Sequence, residues 1–255
     1  MAILYAGTSG YAYPSWKPEF YPADLPAARF LRHYAGRLNC VEINYTFRRM
    51  PSEKALTAWA EATPPGFAFA IKAHQAITHR NRLKEGAREP LEFFLGTLAP
   101  LRDAGRLGPV LLQLPPNLKL DLERLERFLE LLPRDLRFAF EFREQSWFRE
   151  EVYALLRAHD AALCVAEAED LTVPDVVTAG FAYYRMRKPP YDEAALASLR
   201  RRSEELTGGG RDVYVVFKHE EEAGGALEAE RLLAVGERRP GSRAASHRAP
   251  PGRAG

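Results

Sequence analysis

The chain has 255 residues, of which 46% are hydrophobic and 27% charged, and its formal net charge is +2. This composition is typical of one globular domain with a large core and excludes a disordered or fibrous chain. The near-neutral net charge argues neither for nor against a nucleic-acid ligand, so any basic surface has to be local. No run approaches the roughly 18 apolar residues that a membrane-spanning helix needs. The first residues, 1–5, are typical of a strand rather than a signal peptide.

The chain contains two cysteines, Cys40 and Cys164, and both lie in apolar, strand-like runs. Free cysteines in such runs are usually buried, and paired cysteines are rare inside cells. We therefore expect two buried thiols in a reducing compartment. The expected location is the cytoplasm, without membrane association.

Short apolar runs alternate with amphipathic runs along most of the chain. Start signals mark several of the amphipathic runs, such as Ser52 before Glu53 and Asp121 before Leu122. The pattern predicts helices over residues 27–37, 52–62, 90–101, 121–132, 150–159, 192–205 and 226–235. It predicts strands over residues 3–7, 39–44, 67–73, 110–114, 137–142, 162–165, 181–186 and 213–217.

Alternating strands and helices predict a parallel sheet, and about eight such units in this length favour a closed (β/α)₈ barrel over an open sheet. No Gly-x-Gly-x-x-Gly follows the first strand, which disfavours a dinucleotide-binding fold. The sixth predicted strand has the weakest support in the sequence, because it is short and an irregular stretch follows it. We assign residues 1–235 to one α/β barrel of the triosephosphate-isomerase type.

The segment 236–255 differs from the rest because it is rich in Arg, Pro, Gly, Ala and Ser. Such a segment buries too little apolar surface to order itself. It is predicted to be a disordered basic tail. A neutral extension and a nonspecific contact to polyanions are the two interpretations of its role.

Side chains alternate between the two faces of a strand, so the sequence predicts which residues face the barrel interior. In strand three the bulky Phe67, Phe69 and Ile71 share the face toward the helices, which places Lys72 inside. The same reasoning places these further residues on inward faces near the strand ends: Glu42, Asn44, Gln113, Glu141, Arg143, Arg185, Arg187, Lys218 and Glu220.

Charged groups inside a barrel are costly unless they are paired or take part in chemistry. Barrel enzymes place their functional residues at the carboxyl ends of the strands. Lys72, Arg143, Arg185 and Lys218 outnumber Glu42 and Glu141, and this surplus of positive charge favours an anionic ligand. An ion-pair network that neutralises itself is the structural alternative.

Several short blocks of the chain occur in a characteristic order and spacing. They are Gly7-Thr8-Ser9-Gly10-Tyr11 with Trp16, Val41-Glu42-Ile43-Asn44-Tyr45-Thr46-Phe47, Phe69-Ala70-Ile71-Lys72-Ala73, Leu112-Gln113-Leu114-Pro115-Pro116, Glu141-Phe142-Arg143 with Ser146-Trp147, Tyr184-Arg185-Met186 and Tyr214-Val215-Val216-Phe217. These blocks resemble the YecE-like family, known as domain of unknown function 72. The resemblance spans residues 7 to about 235, and the order and spacing of its blocks make it specific. It implies a triosephosphate-isomerase-type barrel and no settled reaction.

Two blocks depart from the pattern that the family usually shows. After the seventh strand Arg187-Lys188 stand where the family usually has His-Gly. After the eighth, Lys218-His219-Glu220 stand where it usually has Asn near an acid. Both changes add basic character to the barrel mouth.

These observations predict a cationic mouth that binds an anionic, phosphate-bearing ligand, either a small molecule or a nucleic acid. A phosphoester hydrolase, a catalytically silent binder and a metal-dependent, endonuclease-like phosphoesterase remain as alternatives, so the sequence does not decide whether the protein is an enzyme. The candidate catalytic residues are Glu42, Lys72 and Glu141. The candidate ligand-binding residues are Thr8, Ser9, Trp16, Asn44, Gln113, Arg143, Trp147, Arg185 and Lys218.

No cofactor and no intrinsic metal site are predicted, because no close-spaced metal motif occurs and inward lysines repel a cation. A divalent metal held by His74, His79, His219 and the inward carboxylates is the competing hypothesis. Aromatic residues after the strands, among them Trp16 and Trp147, are interpreted either as stacking platforms for bases or as braces for the loops.

Overall fold

In the computed structural model, eight parallel strands hydrogen-bond in chain order and close into a barrel. The structure describes residues 1–218 and 222–234. Every neighbouring pair is parallel, including the β8–β1 pair that closes the ring. The predicted fold is confirmed. The strands are β1 (Leu4–Ser9), β2 (Cys40–Ile43), β3 (Ala68–Lys72), β4 (Leu107–Gln113), β5 (Phe138–Glu141), β6 (Ala162–Ala166), β7 (Phe181–Met186) and β8 (Asp212–Phe217).

Helices cover the outside of the barrel. The carboxylate of Asp121 accepts a hydrogen bond from the Arg124 amide (3.0 Å), and this cap starts the helix at the predicted residue. The helices are α1 (Phe30–Ala35), α2 (Glu53–Ala62), α3 (Arg88–Thr97), α4 (Ala99–Asp103), α5 (Leu122–Leu129), α6 (Glu150–Ala158), α7 (Glu193–Gly208) and α8 (Gly224–Leu233).

Two helical predictions need correction. The predicted helix 90–101 is interrupted at Leu98, because Pro100 has no amide hydrogen for the preceding turn and instead lies in the first turn of α4, which begins at Ala99. The predicted helix 27–37 begins as a 3₁₀ turn, Ala27–Arg29, before α1. Residues 167–180, which follow β6, contain no helix, in agreement with the irregular stretch that the sequence shows there.

The alternation of side chains is confirmed. Phe67, Phe69 and Ile71 pack in the cluster between the strands and the helices, whereas Ala68 and Ala70 belong to a separate cluster inside the barrel. That inner cluster consists largely of small residues because an eight-stranded barrel has little room on its axis. Cys40 and Cys164 are both in it as buried free thiols, as predicted.

Aromatic and charged residues close the amino-terminal end of the barrel. The rings of Tyr5 and Tyr214 stack with 4.5 Å between centroids, and Arg137 donates to Asp212 at 2.7 Å. The polar residues of the interior therefore lie mainly at the opposite, carboxyl end. Among the described residues, no helix combines the length and apolar character needed to cross a membrane.

Two expectations fall on parts of the chain that the structure does not describe. The predicted basic tail, 236–255, lies outside the described residues, as do His219 and Glu220. The barrel assigned to residues 1–235 is described up to residue 234, apart from residues 219–221.

The approach of β1 to β2 requires a glycine at position 7. A Cβ there would lie 1.9 Å from the Cys40 carbonyl oxygen and 2.8 Å from the Tyr34 hydroxyl oxygen. We expect Gly7→Ala to lower the free energy of unfolding by about 3 kcal/mol, the upper range for overpacking. Urea denaturation checks this. The control is Gly96→Ala, where an added Cβ would meet no atom of the described residues outside its own stretch of helix within 4 Å, and it should not destabilise the fold. Equal stability of the two variants would contradict the close approach.

Candidate functional site

A buried arginine at the end of β7 joins two glutamates from other strands. Arg185 donates through Nη2 to Oε1 of Glu42 on β2 (2.6 Å) and through Nη1 to Oε2 of Glu141 on β5 (2.5 Å). These three residues are 3%, 0% and 2% exposed. We call them the buried triad. It spans the barrel interior just below the mouth.

Neighbouring side chains satisfy the remaining carboxylate oxygens. The Tyr183 hydroxyl donates to Oε2 of Glu42 (2.8 Å), and the Asn44 amide donates to its Oε1 (2.9 Å). The Gln113 amide donates to Oε1 of Glu141 (2.7 Å). All four carboxylate oxygens of the buried triad therefore accept at least one hydrogen bond. Such complete pairing is what allows charges to stay ionised away from water.

The charge states of the buried triad follow from this pairing. Burial raises the pKa of the Glu141 carboxyl, but the charges of Arg185 and Arg187 and the Gln113 hydrogen bond outweigh burial, and the net pKa is lowered. Burial lowers the pKa of Arg185, but the two glutamates raise it well above its ordinary value. Arg185 and Glu141 are therefore both ionised at neutral pH.

Lys72 lies above the buried triad at the end of β3. Its Nζ donates to Oε1 of Gln113 (2.7 Å) and lies 4.5 Å from the centre of the Phe47 ring. Burial and the charge of Arg185 lower the pKa of Lys72 to about 8, against the opposing effect of the two glutamates. Lys72 is thus cationic at neutral pH, at a cost that a bound anion would offset.

Two further arginines complete the mouth. Arg143, which is 42% exposed, has its Nε 3.9 Å from Oε1 of Glu141. Arg187 is partly buried, and its pKa is lowered by burial and then by Arg185. Within residues 1–218 and 222–234, its guanidinium has no hydrogen bond or ion pair. Lys72, Arg143 and Arg187 form what we call the upper cations. With the buried triad they leave a surplus of two positive charges.

His79 lies beside the upper cations. Its ring packs edge-on against Phe47 at 4.7 Å, and its Nδ1 is hydrogen-bonded to the Thr78 hydroxyl (2.9 Å). Burial, Lys72 and Arg143 lower the pKa of His79 below 6.5, so the imidazole is neutral at neutral pH.

The side of the mouth near β5 to β8 opens into a cleft of about 750 Å³. The cleft carries acids as well as bases. Glu144 caps a 3₁₀ turn through the Ser146 amide, and Glu167 accepts from the Arg187 and Lys188 amides. The predicted ligand residue Lys218 also lines this cleft and is exposed.

One buried acceptor at the mouth lacks a partner. The Oδ1 atom of Asn44 is buried and has no hydrogen bond within the described residues, although the Nδ2 atom of the same amide is bonded to Glu42. Unpaired buried carbonyls are uncommon because they lose a hydrogen bond to water. Asn44 therefore contributes an unsatisfied acceptor next to the buried triad.

The structure brings six of the predicted residues together: Glu42, Asn44, Lys72, Gln113, Glu141 and Arg185 form one hydrogen-bonded group. Arg143 and Lys218 lie at its edge. Ser9, 5% exposed, ends β1 and pairs in register with Glu42.

Three predicted ligand contacts lie away from the open mouth. Trp16 and Trp147 are 1% and 0% exposed, and Trp147 stacks on Phe142 and donates to the Leu118 carbonyl (2.6 Å). Thr8 is fully buried and bonds the Tyr34 hydroxyl. For the two tryptophans this geometry fits the alternative interpretation, in which they brace loops.

Arg187 is the main residue that the candidate list omits. Strand alternation places it on the same face as Arg185, and that signal is enough to find it. His79 and Phe47 carry no comparable signal, because both lie in short helical turns between the strands and the main helices, Ala76–Arg80 and Tyr45–Phe47, whose direction the sequence does not predict.

Among the described residues, no group of three or more His, Cys, Asp or Glu side chains is placed to hold a metal ion. The Nδ1 atom of His74 accepts from the Ala76 amide (3.3 Å), and both carboxylates of the buried triad already bind Arg185.

The model of the family "Protein of unknown function DUF72" matches residues 5–251 of the chain. The chain belongs to this family. A DUF72 family protein from Thermotoga maritima is similar in structure, with a TM-score of 0.81, 30% identity and coverage of 92% of this chain and 99% of that one. The resemblance to the YecE-like family is thereby confirmed.

Other DUF72 relatives are more distant. A DUF72 family protein from Enterococcus faecalis has a TM-score of 0.73 and 18% identity, covering 92% of this chain and 98% of that one, which shows the shared fold alone. The UPF0759 protein YunF of Bacillus subtilis is 26% identical over 156 residues, which are 59% of this chain and 54% of that protein. This DUF72 chain thus aligns with about half of that relative.

The buried triad makes a specific prediction about stability. We expect Arg185→Gln to lower the free energy of unfolding by about 3–5 kcal/mol, because it leaves two buried carboxylates without a cation. Strand alternation alone suggests the opposite, a stability unchanged or raised by the loss of one positive charge. Urea denaturation at pH 7 checks this, with the exposed Arg201→Gln as control. A difference between the two variants below about 1 kcal/mol would show that the bridge contributes little.

Proposed function

We propose that this protein binds an anionic, phosphate-bearing ligand in the mouth of the barrel, through Lys72, Arg143 and Arg187. The observation that carries the proposal is the state of Arg187: its guanidinium is partly buried, lies near Arg185 and Arg143 as well as Glu42 and Glu141, and makes no hydrogen bond or ion pair within the described residues. Burial and the neighbouring arginines lower the pKa of Arg187 despite the two glutamates, so a bound anion would stabilise its charged form.

Phosphate fits this site better than a smaller anion. Arginine guanidinium groups hold phosphate oxygens through paired, charge-assisted hydrogen bonds, and lysine supplies a point charge. Here two arginines and one lysine converge from the ends of β5, β7 and β3.

In this proposal the buried triad positions the cations and does not perform chemistry. Arg185 bonds both glutamates and is 3% exposed, so it supports the site from below rather than gripping the ligand. Glu42 and Glu141 have their oxygens occupied. Gln113 links Glu141 to Lys72 and fixes the direction of the lysine amine.

Hydrolysis of a phosphoester is the second candidate, and His79 is the observation that favours it. A neutral imidazole beside the upper cations can accept a proton from an attacking water. Binding ranks first because it needs only the cations of the mouth, whereas hydrolysis also needs a base held next to the bound phosphate. Turnover of a general phosphoester substrate that disappears in His79→Gln would raise hydrolysis above binding alone.

Arg187→Gln tests the proposed site. We expect it to weaken binding of inorganic pyrophosphate by about tenfold or more, the order expected when one charged hydrogen bond is lost. Isothermal titration calorimetry measures the affinity. The melting temperature of the ligand-free variant should stay level or rise, because repulsion from Arg185 and Arg143 is relieved.

Arg201→Gln, which removes an exposed charge from α7, is the matched control and should bind pyrophosphate normally. The proposal is wrong if the unaltered protein binds neither pyrophosphate nor nucleotides at millimolar concentration. It is also wrong if Arg187→Gln binds pyrophosphate as tightly as the control.

A further inference from the structure

Charge is distributed unevenly around the mouth. The loops after β2, β3 and β4, residues 44–52, 73–87 and 114–121, are consecutive around the barrel, and we call them the basic rim. The loop after β6, residues 167–180, contains four acids and no Lys or Arg. It lies across the barrel from the loop after β2. The basic rim contains two acids, Glu85 and Asp121, against Arg48, Arg49, Arg80, Arg82, Lys84 and Lys119.

The basic rim continues into a groove on the outer surface. One open cleft of about 460 Å³ is lined by Arg82, Lys84, Lys119 and Arg124. A second, of about 880 Å³, shares Lys84 and Arg124 with it and extends between α3 and α5. The second cleft is also lined by Glu85 and Glu130, against Arg88 and Arg127. The carboxylate of Asp121, which lines both clefts, is already occupied, since it caps α5 and pairs with Arg124 (2.8 Å). We call these joined clefts the outer groove.

A strained turn holds the near end of the outer groove. Arg82 and Leu83 have φ values of +51° and +60°, in the left-handed region that side chains other than glycine seldom occupy. Leu83 is 2% exposed, which anchors the turn in the core. Nη2 of Arg82 donates to the Asn117 carbonyl (2.9 Å) and so joins the loops after β3 and β4. Strain of this kind persists where a defined position is needed.

An exposed aromatic ring lies on the same rim. Tyr45, in the loop after β2, is 47% exposed, although its ring packs edge-on against Trp59 at 5.9 Å. Trp59 in turn stacks on Phe69 of β3. A rigidly held ring of this kind offers a flat face to a nucleobase.

We propose that the basic rim and the outer groove bind the backbone of a single-stranded nucleic acid, one phosphate of which occupies the mouth. This inference rests on the proposed function and names its substrate class. A small phosphorylated metabolite has no use for cations that extend beyond the mouth, whereas a strand has a phosphate at every nucleotide. The acids of residues 167–180 repel a strand, which confines it to the β2–β4 side.

A single strand is favoured over a duplex because its bases are free to stack on Tyr45. In a duplex the internal base faces are covered, and single-strand binders combine a cationic track with aromatic platforms.

The double variant Lys84→Gln/Lys119→Gln tests this inference. Both side chains are exposed and outside the mouth, and neither takes part in a side-chain hydrogen bond or ion pair in the described structure. We expect binding of fluorescent oligothymidylate and oligouridylate, about 12 nucleotides long, to weaken by about tenfold. The slope of log affinity against log salt should fall by about 0.7 for each lost contact. Fluorescence anisotropy between about 50 and 200 mM salt measures both.

The control is Arg201→Gln/Arg211→Gln, which removes two exposed charges from α7 and from the turn before β8. It should bind the oligonucleotides normally, and both double variants should bind pyrophosphate within about twofold of the unaltered protein.

The outcomes separate this inference from the proposed function. If pyrophosphate binds and depends on Arg187 but the oligonucleotides do not bind, the strand is excluded and the mouth remains an anion site. Equal oligonucleotide affinity of the two double variants, or tighter binding of a duplex of the same length, also overturns the inference. If pyrophosphate binding is absent while the oligonucleotides bind through Lys84 and Lys119, the proposed anion site in the mouth is wrong, and the basic rim and outer groove alone bind the strand.

Discussion

The site depends on one interaction, the bridge from Arg185 to Glu42 and Glu141. It draws the end of β7 toward β2 and β5 across the barrel, with distances of 2.6 and 2.5 Å to the two carboxylates. Three charges buried together are tolerated because each carboxylate oxygen also accepts a hydrogen bond or an arginine contact. The bridge thereby turns the top of a packed interior into a fixed polar floor.

This polar floor limits how far the charges of the cations above it are neutralised. Because Arg185 occupies both glutamates, they cannot fully neutralise Lys72, Arg143 and Arg187 as well. The chain of contacts from Lys72 through Gln113 to Glu141 holds one of these cations in place before any ligand arrives. A site whose charges are positioned in advance loses less free energy when it binds.

Much of the fold follows from the sequence, because strand alternation is a strong signal. The phenylalanines of strands three and five identify the faces toward the helices, and this places Lys72 and Glu141 inside. The break at Leu98 is less visible, since an apolar pattern runs on through Pro100.

The partners within the site could not be predicted in the same way. Strand alternation gives the direction of the Arg185 side chain but not the two glutamates that it binds. Glu141 is separated from Arg185 by 44 positions in the chain, and Glu42 by 143 positions. Trp147 stands among polar loop residues in the sequence, and only the packing of its loop shows that it stacks on Phe142. Strand alternation predicts that Arg187 faces inward. Whether an acceptor lies within hydrogen-bond distance of it depends on the side-chain directions of Glu42 and Glu141, which the sequence does not give.

If the mouth carries surplus positive charge that a bound anion stabilises, the pKa of the Lys72 amine must report both the surplus and the anion. Heteronuclear NMR, with the signal assigned by comparison with Lys72→Arg, gives this pKa with and without sulfate, which remains a dianion throughout the titration. We expect a pKa of about 8 in the free protein. Saturating sulfate should raise that pKa, because the bound anion stabilises the protonated amine. A pKa near the ordinary 10.5, or one that sulfate leaves unchanged, would show that the mouth has no such surplus or binds no anion beside Lys72.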